Sequence, residues 1–194
     1  MYLKLWPQKR WKKILLISVL VVFVVFASLL AYVAYAISTD VVTEVVVENP
    51  GGSKTALVLY HPGLSSFAHD VAYAFTEGLV SNGWRVEIAT PSAQAPSEPS
   101  EYDLLVFCFS TYGFRPDSPT MRQIERMGDL EGVDLVLVGL AAGDAMGSKA
   151  KVAEVVLSAN GNIISEIALN SIAPNEGNKS ATELAEQAGR EITV

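Results

Sequence analysis

Three short segments of this chain bring glycine, hydroxyl and aromatic residues together, a combination that suits the binding of a flat, anionic molecule. The first, residues 61–66 with the sequence HPGLSS, separates an apolar run from a predicted helix. Backbone N–H groups at a helix start, with Ser65 and Ser66 beside them, could bind a phosphate. The segment has neither the lysine nor the repeated glycines of nucleotide-binding loops. A plain turn that ends in a serine cap is the alternative interpretation.

The other two segments could enclose a flat heterocycle. Residues 110–113 (STYG) supply small polar side chains, the ring of Tyr112 for stacking, and a glycine for close backbone approach. Residues 140–144 (LAAGD) supply small residues and Gly143. The alternatives are a turn whose tyrosine covers the end of a sheet, and a solvated turn at Asp144.

These segments follow strands in an alternating strand–helix pattern. Short apolar runs predict five strands, at residues 55–60, 85–89, 103–109, 133–139 and 162–169. Amphipathic spacing and capping residues predict helices from Ser65 or Ser66 to residue 81 and over 119–127, 149–158 and 180–190, whereas residues 91–100 predict a loop. Short connections of this kind imply a doubly wound, three-layer α/β sheet of parallel strands. In such a sheet the three segments meet at the carboxyl ends of the strands, where ligands bind.

The N-terminal region predicts a membrane anchor. Residues 14–37 carry no charge, and a helix of that length would span roughly 36 Å, enough to cross a hydrocarbon core of about 30 Å. Aromatic residues lie near both ends of the segment and would sit at the two membrane interfaces, Trp6 and Trp11 on one side and Tyr32 and Tyr35 on the other. A cleaved signal peptide is the alternative, because residues 34–36 (AYA) have the form of a cleavage site.

Charge orients this segment and limits the class of partner. Five Lys and Arg with no acidic residue occupy the first thirteen positions, whereas acidic residues follow the apolar stretch. The positive-inside rule then predicts a basic cytoplasmic N-terminus (1–13), one span (14–37), a connector (38–53) and an extracytoplasmic main domain (54–194). Beyond residue 13, nine Lys and Arg oppose 21 Asp and Glu, a net charge of −12. This charge disfavours a nucleic-acid partner and suits a cationic or membrane-protein partner, or solubility alone.

Few residues are available for metal binding or covalent catalysis. The single cysteine, Cys108, excludes an internal disulfide and a multi-cysteine zinc site, and its position in a strand predicts buried packing. No motif places a nucleophile or carboxylate beside His61, which predicts a turn residue, and His69 falls on the first helix. We therefore expect no catalytic residue and no metal site.

Together, the segments and their order resemble the flavodoxin family over residues 54–194. In that family a T-x-T-G-x-T-type loop after the first strand holds the FMN phosphate, and an S-T-W-G-like loop and a G-D loop follow the third and fourth strands. Residues 60–65 (YHPGLS), 110–113 (STYG) and 142–144 (AGD) stand at these places. The resemblance implies a flavodoxin-like sheet in the order 2-1-3-4-5. It also implies FMN contacts, to the phosphate from Gly63, Leu64, Ser65 and Ser66, and to the ring from Ser110, Thr111, Tyr112, Gly113 and Gly143.

The chain departs from the family pattern around the cofactor. Tyr60 and Pro62 replace hydroxyl residues, Pro62 also lacks an N–H, and Ala145 and Met146 stand where a second aromatic ring is usual. The resemblance implies a membrane-anchored protein that binds FMN and carries electrons to or from a redox partner protein. Two alternatives remain. One is a flavin-free interaction module of the same fold, which the departures favour; the other is a membrane-associated, flavin-dependent quinone or protoporphyrinogen-type oxidoreductase.

Overall fold

The computed structural model describes residues 9–193 and divides into a helical segment and an α/β unit that begins at Ile37. Helix α1 (Arg10–Ser38) contains the predicted span, and its 29 residues, with a mean hydropathy that reaches 3.1, are long and apolar enough to cross a membrane. A signal sequence near the N-terminus meets the same criteria, so both interpretations of this segment remain. Trp6 and most of the predicted basic N-terminus lie outside the described residues.

Five parallel strands form the sheet of the α/β unit: β2 (Lys54–Tyr60), β3 (Trp84–Ala89), β4 (Leu104–Tyr112), β6 (Asp134–Ala141) and β7 (Asn162–Asn170). Their spatial order is β3-β2-β4-β6-β7, which is the order 2-1-3-4-5 expected for the five parallel strands. Two short antiparallel strands extend the sheet, β1 (Val46–Glu48) beside β3 and β5 (Arg115–Pro116) beside β4. The sheet is therefore mixed and seven-stranded, and the predicted number of five strands is wrong.

Four helices cover the sheet, two on each face. Helices α2 (Phe67–Ser81) and α5 (Ala181–Glu191) pack on one face, and α3 (Ser118–Met127) and α4 (Met146–Ser158) pack on the other. Parallel strands covered in this way need apolar residues on both faces. Successive residues of each central strand accordingly enter different core clusters, and Cys108 is buried in the cluster under α2 and α5, as predicted.

The first and last helices of the α/β unit approach each other through glycines. A Cβ at Gly78 would lie 2.2 Å from the carbonyl oxygen of Glu186, and one at Gly189 would lie 2.2 Å from that of Phe75. Any side chain at either position would push the two helices apart. Helix α5 follows Ser180, as expected, with a capping box in which the Ser180 hydroxyl accepts from the N–H of residue 183 at 3.1 Å.

Hydrogen bonds, strand pairing and ion pairs attach the connector to the rest of the α/β unit. The Thr90 hydroxyl donates a hydrogen bond to the carbonyl of Val41, and β1 pairs with β3. Asp40 forms ion pairs with Arg122 and Arg126 of α3. Because Thr90 is the first residue after β3, the connector joins the sheet at the carboxyl end of that strand. The predicted loop at residues 91–100, which follows, is confirmed apart from a 3₁₀ turn at Pro99–Glu101.

Candidate functional site

A cleft lies at the carboxyl edge of the sheet, where the predicted segments after β2, β4 and β6 meet. Its volume is about 210 Å³, below the roughly 300–1,000 Å³ of pockets that enclose a small molecule. A larger ligand would therefore remain partly exposed. The structure brings five predicted site residues to the lining of the cleft, Leu64, Ser65, Ser110, Thr111 and Tyr112. The other four lie in the adjoining turns and outside the lining, Gly63, Ser66, Gly113 and Gly143.

The first and second segments touch each other across this cleft. Gly63 has a φ of +64°, in the left-handed region that favours glycine. A Cβ at Gly63 would lie 2.3 Å from the hydroxyl oxygen of Tyr112 and 3.8 Å from that of Ser110. The Tyr112 side chain thus reaches over the first loop, and only glycine leaves room for it.

The start of α2 has fewer free hydroxyl donors than its two serines suggest. Ser66 is the N-cap residue, but its hydroxyl makes no capping hydrogen bond to the helix. Hydrogen bonds from the hydroxyl of Ser66, and then from the ring of His69, lower the pKa of Asp70 in the first helical turn. The Asp70 carboxylate thus already interacts with the helix start that an anionic ligand would use. Of the backbone N–H groups of this turn, that of Phe67 donates to the Ser65 hydroxyl at 3.4 Å and that of Asp70 donates to the Ser66 carbonyl at 2.8 Å. The N–H groups of Ala68 and His69 are the remaining donors.

Both departures from the family pattern in the first loop have visible structural consequences. Tyr60 is 7% exposed and packs edge-on against Tyr73 and His69, with ring centroids 6.2 and 5.7 Å away. Burial, and then the neighbouring Tyr73, raise the pKa of Tyr60. The side chain at this position belongs to the core beside α2, while Pro62 lines the cleft without an N–H to donate.

Residues Ser110 to Tyr112 belong to β4, which corrects the prediction that this strand ends at residue 109. Thr111 and Tyr112 continue the strand because they pair with β5 in a hairpin. The two turn residues, Gly113 and Phe114, have φ values of +55° and +64°, as a two-residue hairpin turn requires. The left-handed conformation of Phe114 destabilises the folded state by roughly 1–2 kcal/mol. The Phe114 side chain is 75% exposed.

A buried carboxylate beside the cleft is the main feature that the sequence analysis misses. Asp117 is 2% exposed and caps α3, with Oδ1 accepting from the N–H of Thr120 at 2.9 Å and Oδ2 accepting from the N–H of Ser110 at 2.8 Å. Burial raises the pKa of Asp117, while the hydrogen bond from Thr120 and the nearby His61 oppose the rise. His61 lies in the turn after β2, as predicted, but it is fully buried and interacts electrostatically with Asp117, a carboxylate that no motif indicates. Residues 117–120 (DSPT) indicate this helix start in the sequence, because an N-cap residue is followed by a proline in the first turn.

The third segment is shorter than predicted, because β6 continues to Ala141 and α4 begins at Met146. The Asp144 carboxylate accepts a hydrogen bond from the N–H of Met146 at 2.8 Å and so occupies the start of α4. A Cβ at Gly143 would make an ordinary contact of 3.9 Å with Ala173. No close packing therefore requires glycine at this position.

Thr111 has the feature that most favours a bound ligand. Its Oγ1 is buried and has no hydrogen-bond partner within residues 9–193, although buried polar atoms in proteins are nearly always paired. Thr111 lines the cleft with other atoms, so a rotation of its side chain would let the polar edge of a ligand pair with this hydroxyl. Within the same residues, no group of three His, Cys, Asp or Glu side chains is placed to hold a metal ion. The cleft thus suits a flat, partly polar molecule.

The chain matches no family model and no curated protein sequence, but solved structures resemble it. A flavodoxin from the domain Archaea has a TM-score of 0.57 at 15% identity, over 71% of this chain and 94% of that one. The two-electron reduced flavodoxin of Megasphaera elsdenii has a TM-score of 0.56 at 15% identity, over 70% and 98%. The NAD(P)H:quinone oxidoreductase of Methanothermobacter marburgensis has a TM-score of 0.52 at 18% identity, over 72% and 94%. Identities at this level establish the fold alone: residues that follow the connector form a flavodoxin-like α/β unit.

Proposed function

We propose that this protein binds FMN at the carboxyl edge of its sheet and carries electrons to or from a redox partner protein. The observation that carries the proposal is the cleft at the ends of β2, β4 and β6, whose lining includes Thr111, a residue with a buried and unpartnered hydroxyl. The similarity of fold to flavodoxins and to an NAD(P)H:quinone oxidoreductase supports it. Bound FMN would supply the electron-transfer chemistry, and the protein would bind and orient it.

The phosphate would bind at the first loop, through backbone N–H groups of Gly63, Leu64, Ser65 and Ser66 before and at the start of α2. Pro62 supplies no N–H, and the Ser66 hydroxyl already bonds Asp70. Each missing hydrogen bond to a charged group removes about 1.5–3 kcal/mol of binding free energy. We therefore expect weaker FMN binding than a loop with a full set of donors would give.

The ring would lie between the ends of β4 and β6, against residues 110–113 on one side and Gly143 on the other. Tyr112 would stack on the ring, and Thr111 would hydrogen-bond its polar edge. Since Tyr112 contacts Gly63 across the cleft, its side chain must rotate to admit the ring. These residues bind and position the ligand, and none is proposed to act as an acid or base.

The proposed setting is a membrane. The length and hydropathy of α1 support a single-span anchor, and the charge asymmetry of the sequence supports a cytoplasmic N-terminus with the α/β unit on the other side. The redox partner would then be a membrane or extracytoplasmic protein.

Titration of the full-length protein with FMN, in detergent and followed by flavin fluorescence, tests the proposal. Quenching with sub-micromolar affinity would support it, and no quenching at high micromolar FMN would refute it. Thr111→Val removes one hydroxyl and should weaken binding by roughly 2- to 10-fold, the value of one hydrogen bond. The matched control is Thr55→Val at the amino end of β2, which should bind FMN like the unaltered protein.

A flavin-free interaction module is the second candidate, because the Tyr112 side chain already packs against Gly63 across the cleft. A folded protein that leaves FMN fluorescence unchanged would favour it. The third candidate is a flavin-dependent quinone or protoporphyrinogen-type oxidoreductase, which the fold similarity to a quinone oxidoreductase supports. Turnover of such a substrate by the FMN-loaded protein would distinguish it from an electron carrier.

A further inference from the structure

Four loops at the carboxyl edge of the sheet each expose one large apolar side chain. Leu64 follows β2, Phe114 follows β4, Met146 follows β6 and Ile172 follows β7, and their exposed fractions are 48, 75, 67 and 83%. We call these four residues the apolar rim. Among the other large apolar residues of 54–193, only Leu157 and Ile164 are comparably exposed, and neither lies in a loop at this edge. Exposed apolar residues gathered at one place on a protein mark an interaction surface.

The apolar rim is presented by ordered backbone. The N–H of Met146 donates to the Asp144 carboxylate at 2.8 Å, and the N–H of Ile172 donates to the carbonyl of Ala142 at 3.3 Å. Phe114 lies at the tip of the β4–β5 hairpin with a φ of +64°. Local backbone contacts therefore accompany the exposed side chains at positions 114, 146 and 172.

The chain enters the α/β unit at the same edge. Val41 is bound by Thr90 at the carboxyl end of β3, and Arg122 binds the carbonyl of Ser38 at 2.8 Å. Ile37 is the last residue of the uncharged apolar stretch. Four residues, even when fully extended, span only about 14 Å. Only four residues of chain therefore separate the apolar stretch from the point where the connector binds this edge.

We propose that the apolar rim rests on the lipid surface of that membrane, with the mouth of the cleft turned toward the lipid. The proposal relies on the membrane anchor of the proposed function and does not depend on FMN. A lipid surface fits this edge because four apolar side chains from separate loops can enter the region between head groups and acyl chains together.

The charges around the apolar rim indicate which lipids matter. The same loops and the first turn of α2 expose Arg115 and Lys179 but also Asp70, Asp144 and Glu176. This edge therefore has no cationic excess to attract anionic lipids. We expect the contact to form on neutral phosphatidylcholine and to be insensitive to salt, because apolar burial rather than ion pairing would stabilise it.

The experiment uses the full-length protein in phosphatidylcholine vesicles whose acyl chains carry a fluorescence quencher. A fluorophore is attached in turn through Phe114→Cys and Ile172→Cys, and through Leu157→Cys, which is 59% exposed at the far end of α4, as the control. Cys108 stays unlabelled because it is buried and burial raises its pKa to about 12. Met146→Cys replaces either rim variant that fails to fold by circular dichroism.

The proposal predicts a loss of fluorescence at positions 114 and 172 with none at 157, unchanged at high salt. Equal fluorescence at all three positions, in protein that stays with the vesicles, overturns the rim contact and leaves the anchor intact. Protein that does not stay with the vesicles overturns the anchor as well. Labels unquenched by lipid but shielded from a water-soluble quencher in native membranes would show that a protein covers the apolar rim, which also overturns the proposal.

Discussion

The contact between Gly63 and Tyr112 provides the sharpest test of the cleft. At a φ of +64°, a Cβ at position 63 would lie 2.3 Å from the Tyr112 hydroxyl oxygen. Gly63→Ala should lose roughly 1–2 kcal/mol through its backbone conformation. It should also force aside the flexible end of the tyrosine side chain, which adds about 0.5–1.5 kcal/mol for an off-rotamer side chain. The expected loss in the free energy of unfolding is therefore about 1.5–3.5 kcal/mol.

Two other glycines of the candidate site separate these contributions. Gly113 has a φ of +55° with open space at its Cβ position, so Gly113→Ala should lose only the backbone part, about 1–2 kcal/mol. Gly143 lies outside the left-handed region and has 3.9 Å of space, so Gly143→Ala should change stability by less than about 0.5 kcal/mol. Urea unfolding of the full-length protein in detergent, followed by near-ultraviolet circular dichroism, gives the three values.

A double-mutant cycle isolates the contact itself. Tyr112→Phe removes only the hydroxyl, and the ring carbon that carried it lies 3.6 Å from the Cβ position of Gly63, an ordinary contact. In the Tyr112→Phe background, Gly63→Ala should lose no more stability than Gly113→Ala does. An equal loss in both backgrounds would refute the packing of Tyr112 over the first loop.

Three further predictions concern groups away from that contact. The pKa of Asp117 is raised on folding, so the folded state holds this proton more tightly and the contribution of Asp117 to stability should fall as the pH rises above about 3.8. Asp70, Asp129 and Glu183 have lowered pKa values and contribute with the opposite sign, so the urea midpoint of Asp117→Asn is subtracted from that of the unaltered protein at each pH. A difference that rises with pH would contradict the burial argument. Ser180→Ala should lower stability by about 1 kcal/mol through loss of the α5 capping box, while Ser180→Thr should retain most of it in thermal unfolding. Gly189→Ala should lower stability by about 3 kcal/mol, because its Cβ would lie 2.2 Å from the Phe75 carbonyl oxygen. A melting temperature like that of Gly51→Ala, where the space is open, would disprove this close packing.

The hydrophobic pattern predicts the strands of the sheet well, because a strand buried on both faces must be a continuous apolar run in the sequence. The apolar runs at residues 55–60 and 133–139 coincide closely with β2 and β6, whose side chains fill the two core clusters. Helix α5 was predicted from its cap, and the Ser180 capping box is present. In each case the sequence signal lies within a few residues along the chain.

The features that the sequence did not reveal depend on distant or unusual contacts. Strand β4 extends to Tyr112 because Phe114 adopts a left-handed conformation that propensity assigns to glycine or asparagine. Asp117 and His61 are 56 positions apart in the sequence and interact only because β2 and β4 are neighbours in the sheet. No local pattern contains such information.

The glycine contact between α2 and α5 has a consequence for synthesis. Helix α2 begins at Phe67, but the helix that covers it ends at Glu191, far along the chain. The core on that face therefore cannot close until the residues up to Glu191 have left the ribosome. A nascent chain that lacks α5 leaves the apolar surface of α2 uncovered on that side. The order of the helices thus makes completion of this face of the α/β unit a late event in synthesis.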